Sequence, residues 1–306
     1  MGGSLSRAAG TDLSTYSASG ADFDVAGFHG ALAAWCEPYR FECSKPFLVK
    51  WYNDKRSDIA GGTQRIEAPD TAVCFALYSI PGYLDVIVDH FRRVRPKDGF
   101  VDSATNEILG NLRSSLAPEL DARVINTDMG PPYFHVQTVG CVAAIDQHVE
   151  AEEFKGDDAA HWREELSDAL EETRDTKMWG TEPAQLRKIF AVNVHPKWGG
   201  WYAYRGLLIL RGTSAEHLQP PQPLQFLPPT EAKRIISEYN RRHQECLWRD
   251  LTADGHPPDC RYNTDEYFFF TETSPAKRKR WLELKADQLE KEGAEGGRWG
   301  PCCGKR

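Results

Sequence analysis

No run of about 18 apolar residues, the minimum for a membrane span, occurs in this 306-residue chain. The first twenty residues are polar and small and contain no apolar signal-peptide core. Basic charge is short as well. There are 37 Lys and Arg against 45 Asp and Glu, a net charge of -8, which argues against broad nucleic-acid binding but leaves room for a local basic pocket. None of the eight cysteines forms a CxxC pair, and the nine histidines show no metal-ligand spacing. Cys36, Cys43, Cys74, Cys141, Cys246 and Cys260 sit mostly inside apolar patterns. With Cys302 and Cys303 they suit reduced thiols in a cytoplasmic protein better than a disulfide framework. GxSxG, HExxH, P-loop and dinucleotide fingerprints are all missing, and there is no internal repeat.

What remains is the composition of a globular protein, 41% hydrophobic and 27% charged, long enough for a sizeable core. Residues 1–20 read as a disordered tail whose opening Met-Gly-Gly-Ser-Leu-Ser is close to a myristoylation pattern at Gly2. Residues 286–306 read as a second flexible tail. Between them, 21–285 is expected to form one domain, with an acidic helical insertion at about 150–187.

Hydrophobic spacing predicts helices over 22–36, 82–95, 104–116 and from Thr230, as N-cap, to Asp250, with a last helix from Ser274-Pro275 to about 290. Strands are expected at 46–52, 71–80, 122–127, 188–194 and 200–212, and 134–144 starts strand-like. The 71–80 run, TAVCFALYSI, is apolar throughout and reads as a central strand buried on both faces. HPKWGG, between the last two strands, has hairpin character. The mixture points to an α+β fold with a largely antiparallel sheet flanked by helices.

The segment HPKWGGWYAYRGLLILRG (His195–Gly212) carries a cation inside an apolar strand. Period-two spacing puts Trp201, Ala203, Arg205, Leu207 and Ile209 on one face. A buried arginine cannot shed its charge, so Arg205 needs either an internal acidic partner or an anionic ligand. Both readings are open on spacing alone. Arg249 in LWRDL and Arg278 in SPAKRKRW read by themselves as surface cations.

HPKWGGWYAYRG resembles the signature of the CblC family of cobalamin-processing proteins. PFLVKWYND (46–54), TAVCFALYSIPGYLD (71–85), VQT (136–138), PTEAKRI (229–235), WRD (248–250), RY (261–262) and SPAKR (274–278) follow in the family's order. The resemblance implies a sandwich similar to flavin-dependent nitroreductases. It implies base-off binding of cobalamin, glutathione-dependent dealkylation of alkylcobalamins and reductive decyanation of cyanocobalamin with FMN or FAD as electron source. By the same resemblance, Arg205, Arg249 and Arg278 would bind glutathione. Trp201, Tyr262, His195, Gly199, Gly200, Gln137, Thr138 and Cys141 would surround the corrin, with no side-chain acid, base or protein metal ligand required. A flavin reductase and a downstream cobalamin adaptor are the implied partners of a monomer or homodimer that meets neither nucleic acid nor a membrane. The chain departs from the family pattern after VQT. Cys141 stands where a histidine is usual, a tyrosine-rich stretch is missing, and Ala191 and Asn193 replace a glycine and a cysteine. A flavin-dependent reductase or glutathione-using thiol oxidase that no longer binds the corrin is the alternative.

Overall fold

A computed structural model describes residues 11–17, 23–56, 65–126, 134–173 and 182–296. Within the tail expected over 1–20, the stretch 11–17 is anchored on the core by Leu13 and Tyr16. Leu13 is 0% exposed, and the Tyr16 ring meets Phe28 edge-on at 5.4 Å. Gly2, Cys302 and Cys303 lie outside the described residues.

Helix α1 (Val25–Cys36) starts where the Asp24 carboxylate accepts the Gly27 amide, and buries Val25, Phe28, Leu32 and Trp35. A 3-10 turn and a left-handed Arg40 reverse the chain into β1 (Phe41–Cys43). The segment expected as a strand over 46–52 is extended only in β2 (Phe47–Leu48). From Val49 it becomes α2 (Val49–Arg56). Val49, Tyr52 and Asn53 are buried at helical spacing, and Lys50 meets Asp54 one turn on at 2.5 Å. Over seven residues the same apolar positions fit both periods.

Strand β3 (Val73–Ser79) is buried at every residue. Helices α3 (Tyr83–Val94) and α4 (Phe100–Ser115) and strand β4 (Ala122–Asn126) follow near their expected positions. The strand-like start at 134 is instead α5 (Val136–Val142), because the His135 ring caps it by accepting the Thr138 amide. Next come β5 (Gln147–Val149), α6 (Asp157–Thr173), the single turn α7 (Pro183–Leu186), β6 (Val192–Val194) and β7 (Ala203–Leu210). Helix α8 (Pro229–Arg242) stops short of Asp250, and Pro228 rather than Thr230 is its N-cap residue. Helix α9 (Thr264–Thr271), absent from the sequence reading, opens with a capping box between Asn263 and Glu266. Helix α10 (Pro275–Gly296) continues well into the stretch expected as a tail from 286. None of these helices is long and apolar enough to cross a membrane among the described residues.

The main sheet has the order β1-β3-β7-β4, with β2 also on β3, and every pairing is antiparallel. One face packs Phe75, Leu77, Leu208 and Leu210 against α1, α3, α4, α9 and α10. The other packs Cys74, Ala76, Leu207 and Ile209 against α2 and α5. A second sheet pairs β5 with β6 and shares a core with α6 and α8, where Leu166 and Leu170 meet Ile235 and Ile236. The expected hairpin is therefore corrected. HPKWGG closes on itself through a His195–Gly199 bridge, but β6 and β7 belong to different sheets.

Candidate functional site

Arg205 sits at a slip in the β3–β7 register. Leu77 faces Gly206 and Tyr78 faces Tyr204, so Arg205 is the extra residue of a β-bulge. The slip reverses the alternation. Tyr202 and Tyr204 lie with Leu207 and Ile209 on the α5 face, whereas Arg205 turns towards the α3 face beside Leu208. The expected sharing of one face by Arg205, Leu207 and Ile209 is thus corrected. Arg205 is 7% exposed, donates from Nε to Ser79 Oγ at 2.9 Å, and lies over the Tyr83 ring at 5.4 Å.

The turn before β7 meets Arg249. The Gly200 amide donates to the Arg249 carbonyl at 2.8 Å, and Arg249 Nη1 donates back to the Gly200 carbonyl. Gly199 has φ +55°, and a Cβ there would strike the Arg249 carbonyl oxygen; one on Gly200 would strike Trp248. The Arg249 guanidinium lies 4.5 Å from the Trp248 ring, 5.6 Å from Trp201 and 5.9 Å from Tyr262. Trp201 packs edge-on against Tyr262 at 5.4 Å and donates from Nε1 to Asp250 at 2.8 Å. Burial raises the Tyr262 hydroxyl above its ordinary range, and the charges of Arg249 and Arg205 oppose that rise. Two of the three candidate arginines therefore converge on one tyrosine. Arg278 lies in the first turn of α10, which is tied to the same region by Phe269 on Trp281 and Tyr262 on Phe270. The Nε atoms of Arg249 and Arg278 are both buried without a hydrogen-bond partner among the described residues.

The remaining candidates gather on the α5 face. Gln137 donates to the Ala191 carbonyl at 3.4 Å, and its own carbonyl accepts from Asn193 at 3.3 Å. Thr138 is buried against His135, 2.9 Å from the ring nitrogen. Cys141 is half-buried, and burial pushes its thiol up to about 12. His195 packs against Tyr78 and Tyr202, and its Nδ1 accepts the amides of Lys197 and Trp198 at 3.0 and 3.1 Å. Burial lowers its pKa to about 4, so it is neutral at physiological pH.

Sequence reading missed the centre of this cluster. Asp146 is 2% exposed and accepts from Tyr202 at 2.6 Å, from Asn193 at 2.7 Å and from Tyr204. Burial raises its carboxyl above the usual range, against the pull of those three donors. His148 continues the chain, with one nitrogen 2.6 Å from Asn193 Oδ1 and the other 2.5 Å from Glu150. An aspartate directly after the apolar CVAAI was the available signal, since an acid in such a run needs donors nearby. Tyr78 and Trp198 both donate to Glu42, at 3.1 and 3.0 Å.

A family model described as the methylmalonic aciduria and homocystinuria type C family matches residues 40–282. The chain is 30% identical over 257 residues to a Bos taurus protein named cyanocobalamin reductase / alkylcobalamin dealkylase, covering 81% of this chain and 78% of the relative. It is 28% identical over 256 residues to the Homo sapiens protein of the same name, with the same coverage. A crystal structure of a C. elegans B12-trafficking protein, CblC, has the same fold, with a TM-score of 0.57 at 19% identity, covering 80% of this chain and 90% of that one. With most of its length matched and its architecture shared, this chain belongs to the methylmalonic aciduria and homocystinuria type C family.

Proposed function

We propose that this chain processes cobalamin, removing the upper axial ligand of alkylcobalamins by transfer to glutathione and of cyanocobalamin by reduction. The relatives' printed names support both activities. The observation that carries the glutathione half is the Arg249 Nε, buried and without a hydrogen-bond partner among the described residues, on a guanidinium that shares Tyr262 with Arg205; the Arg278 Nε, in the first turn of α10, is buried and unpartnered in the same sense. Glutathione has two carboxylates to offer such nitrogens. Guanidiniums bind carboxylates in forked pairs and hold a nearby thiol as thiolate. In the dealkylation that thiolate would take the alkyl carbon; a carbon–sulfur bond forms as the cobalt–carbon bond breaks, and the electron pair of the broken bond stays with the cobalt of the departing, reduced cobalamin.

Trp201 and Tyr262 supply an apolar wall beside the arginines, and the Gly199-Gly200 turn lets that wall approach closely. Gln137, Thr138 and Cys141 on α5, with neutral His195, are the polar edge of the corrin region in this reading. In this reading the antiparallel sheet flanked by helices is a nitroreductase-like sandwich, in which a flavin could reduce the corrin. The α5 face does not fit a resident flavin phosphate, however. Its acids Asp146, Glu42 and Glu150 outnumber its cations, Lys55 beside Cys141 and Lys197, the latter engaged over Trp198 and near Glu42. Electrons for decyanation would then arrive from a separate reductase, and the product would pass to an adaptor protein in the cytoplasm.

The test is an anaerobic absorbance spectrum of methylcobalamin with the protein, before and after glutathione. A base-off shift followed by loss of the alkyl group, abolished in Arg205→Ala, is the expected result. No shift at all would sink the reading in favour of a reductase or thiol oxidase that ignores the corrin.

A further inference from the structure

Glu266 is 1% exposed, and its carboxylate sits at the N-termini of two helices. Within α9 it closes the capping box. Oε2 accepts the Asn263 amide at 3.2 Å, while the Glu266 amide donates to Asn263 Oδ1 at 2.9 Å. The other oxygen crosses to α3. Oε1 accepts the Gly82 amide at 2.6 Å and the Leu84 amide at 3.5 Å. Gly82 is the N-cap residue of α3, with φ +95° and no side chain to offer. The helix therefore takes its cap from a residue 184 positions further along the chain.

Each helix start carries one side of the arginine cluster. Gly82 lies in the short turn between Ser79 and Tyr83, two neighbours of Arg205. Ser79 Oγ accepts from the Arg205 Nε at 2.9 Å, and the Tyr83 ring lies 5.4 Å from its guanidinium. Asn263 directly follows Tyr262, whose ring lies 5.9 Å from the Arg249 guanidinium and 5.4 Å from Trp201. One carboxylate thus ties the Arg205 side to the Arg249 side. Burial raises the Glu266 carboxyl above its ordinary range, against the pull of the Asn263, Gly82 and Leu84 amides, and Asp85 adds to the rise. An acid so enclosed needs its donors. Glutamine cannot take its place unchanged, because the amide nitrogen only donates and would leave one of the two helix starts without an acceptor.

We propose that Glu266 is a positioning residue for glutathione, a buried strut that sets the separation between Arg205 and the wall formed by Arg249 and Tyr262. The proposal rests on the glutathione reading above. A tripeptide with a carboxylate at each end bridges the two sides best at one separation, and a frame that holds this separation in advance lowers the ordering cost of binding. Enclosed between two helix starts, Glu266 reaches neither the thiol nor the cobalt. Its effect therefore falls on glutathione binding and not on the bond-breaking step.

The test is steady-state dealkylation of methylcobalamin at varied glutathione, with Glu266→Gln beside the unsubstituted chain. KM for glutathione should rise about tenfold or more while kcat stays within about twofold. A merely structural cap would lower the amount of active protein, and so kcat, and leave KM where it was. A second measurement needs only the unsubstituted chain. Adding glutathione should slow amide hydrogen exchange in both 80–86 and 260–268, the segments whose amides Glu266 holds. An unchanged KM in Glu266→Gln, or protection of one segment or neither, overturns the proposal. The exchange measurement decides the matter if Glu266→Gln fails to fold. No dealkylation by the unsubstituted chain would sink the glutathione reading itself and this proposal with it, whereas dealkylation with an unchanged KM removes the proposal alone.

Discussion

Gly200 and Arg249 are bonded in both directions, the amide of the first to the carbonyl of the second and the guanidinium of the second to the carbonyl of the first. That lock joins the turn before β7 to a 3-10 turn 49 residues further along the chain. It fixes the height of the Arg249 charge above Trp201 and Tyr262. An arginine that reads as a surface cation in sequence thus becomes part of a wall.

Gly199→Ala breaks this arrangement from the backbone side. The left-handed φ of +55° and the nearby Arg249 carbonyl both oppose a Cβ. A loss of about 1–3 kcal/mol in urea unfolding is expected, together with weaker glutathione binding by titration calorimetry. Gly110→Ala in α4, with nothing within 4 Å of its added carbon, is the control and should be neutral or slightly stabilising.

Arg205→Lys keeps the charge but loses the fork and the Nε donor to Ser79. The expected outcome is a rise in KM for glutathione of roughly 10-fold or more, the size of one lost charge-assisted bond. Steady-state dealkylation of methylcobalamin at varied glutathione measures it. An unchanged KM would remove Arg205 from the binding set.

His195 makes stability pH-dependent. Its folded pKa of about 4 lies below the ordinary histidine value of 6.5, so the unfolded chain binds the extra proton between those values. The stabilisation is complete above about pH 6.5 and drains away as the pH falls towards 4, a span of about 3 kcal/mol at most. Urea midpoints measured from neutral pH to pH 4 should fall less steeply in His195→Gln than in the unsubstituted chain.

Asp146→Ala removes the acceptor shared by Tyr202, Tyr204 and Asn193. Three buried donors are then left unpaired, and a loss of about 3 kcal/mol or more is expected. Thermal unfolding and near-ultraviolet circular dichroism of the tyrosines would register it. A fully stable variant with an unaltered tyrosine signal would contradict the network.

The legible parts of the sequence were those where a long pattern admits one period. β3 is apolar up to its last two residues and buried throughout. The stripe Leu84, Ile87, Val88 and Phe91 is the buried face of α3. Short stretches were read wrongly. Seven residues of alternation at 46–52 became mostly helix, and 134–144 became α5, because a nearby cap and the neighbouring core outweigh so brief a pattern. At the candidate site it was the resemblance to the CblC family, not a local pattern, that grouped Arg205, Arg249, Trp201 and Tyr262, and the contacts around Tyr262 bring these four together.

The sequence by itself determined that a permanent cation sits in an apolar strand and must be satisfied there, since side-chain chemistry and strand hydropathy are local properties. Which way it faces was decided only by the tertiary structure. A one-residue slip of β7 on β3 reverses every side chain beyond it, and a register slip depends on the partner strand. The same holds for Asp146 and its three donors, and for the two-way lock between Gly200 and Arg249. Each joins elements whose separation in space is set by packing, a sum over many weak contacts that no single segment carries.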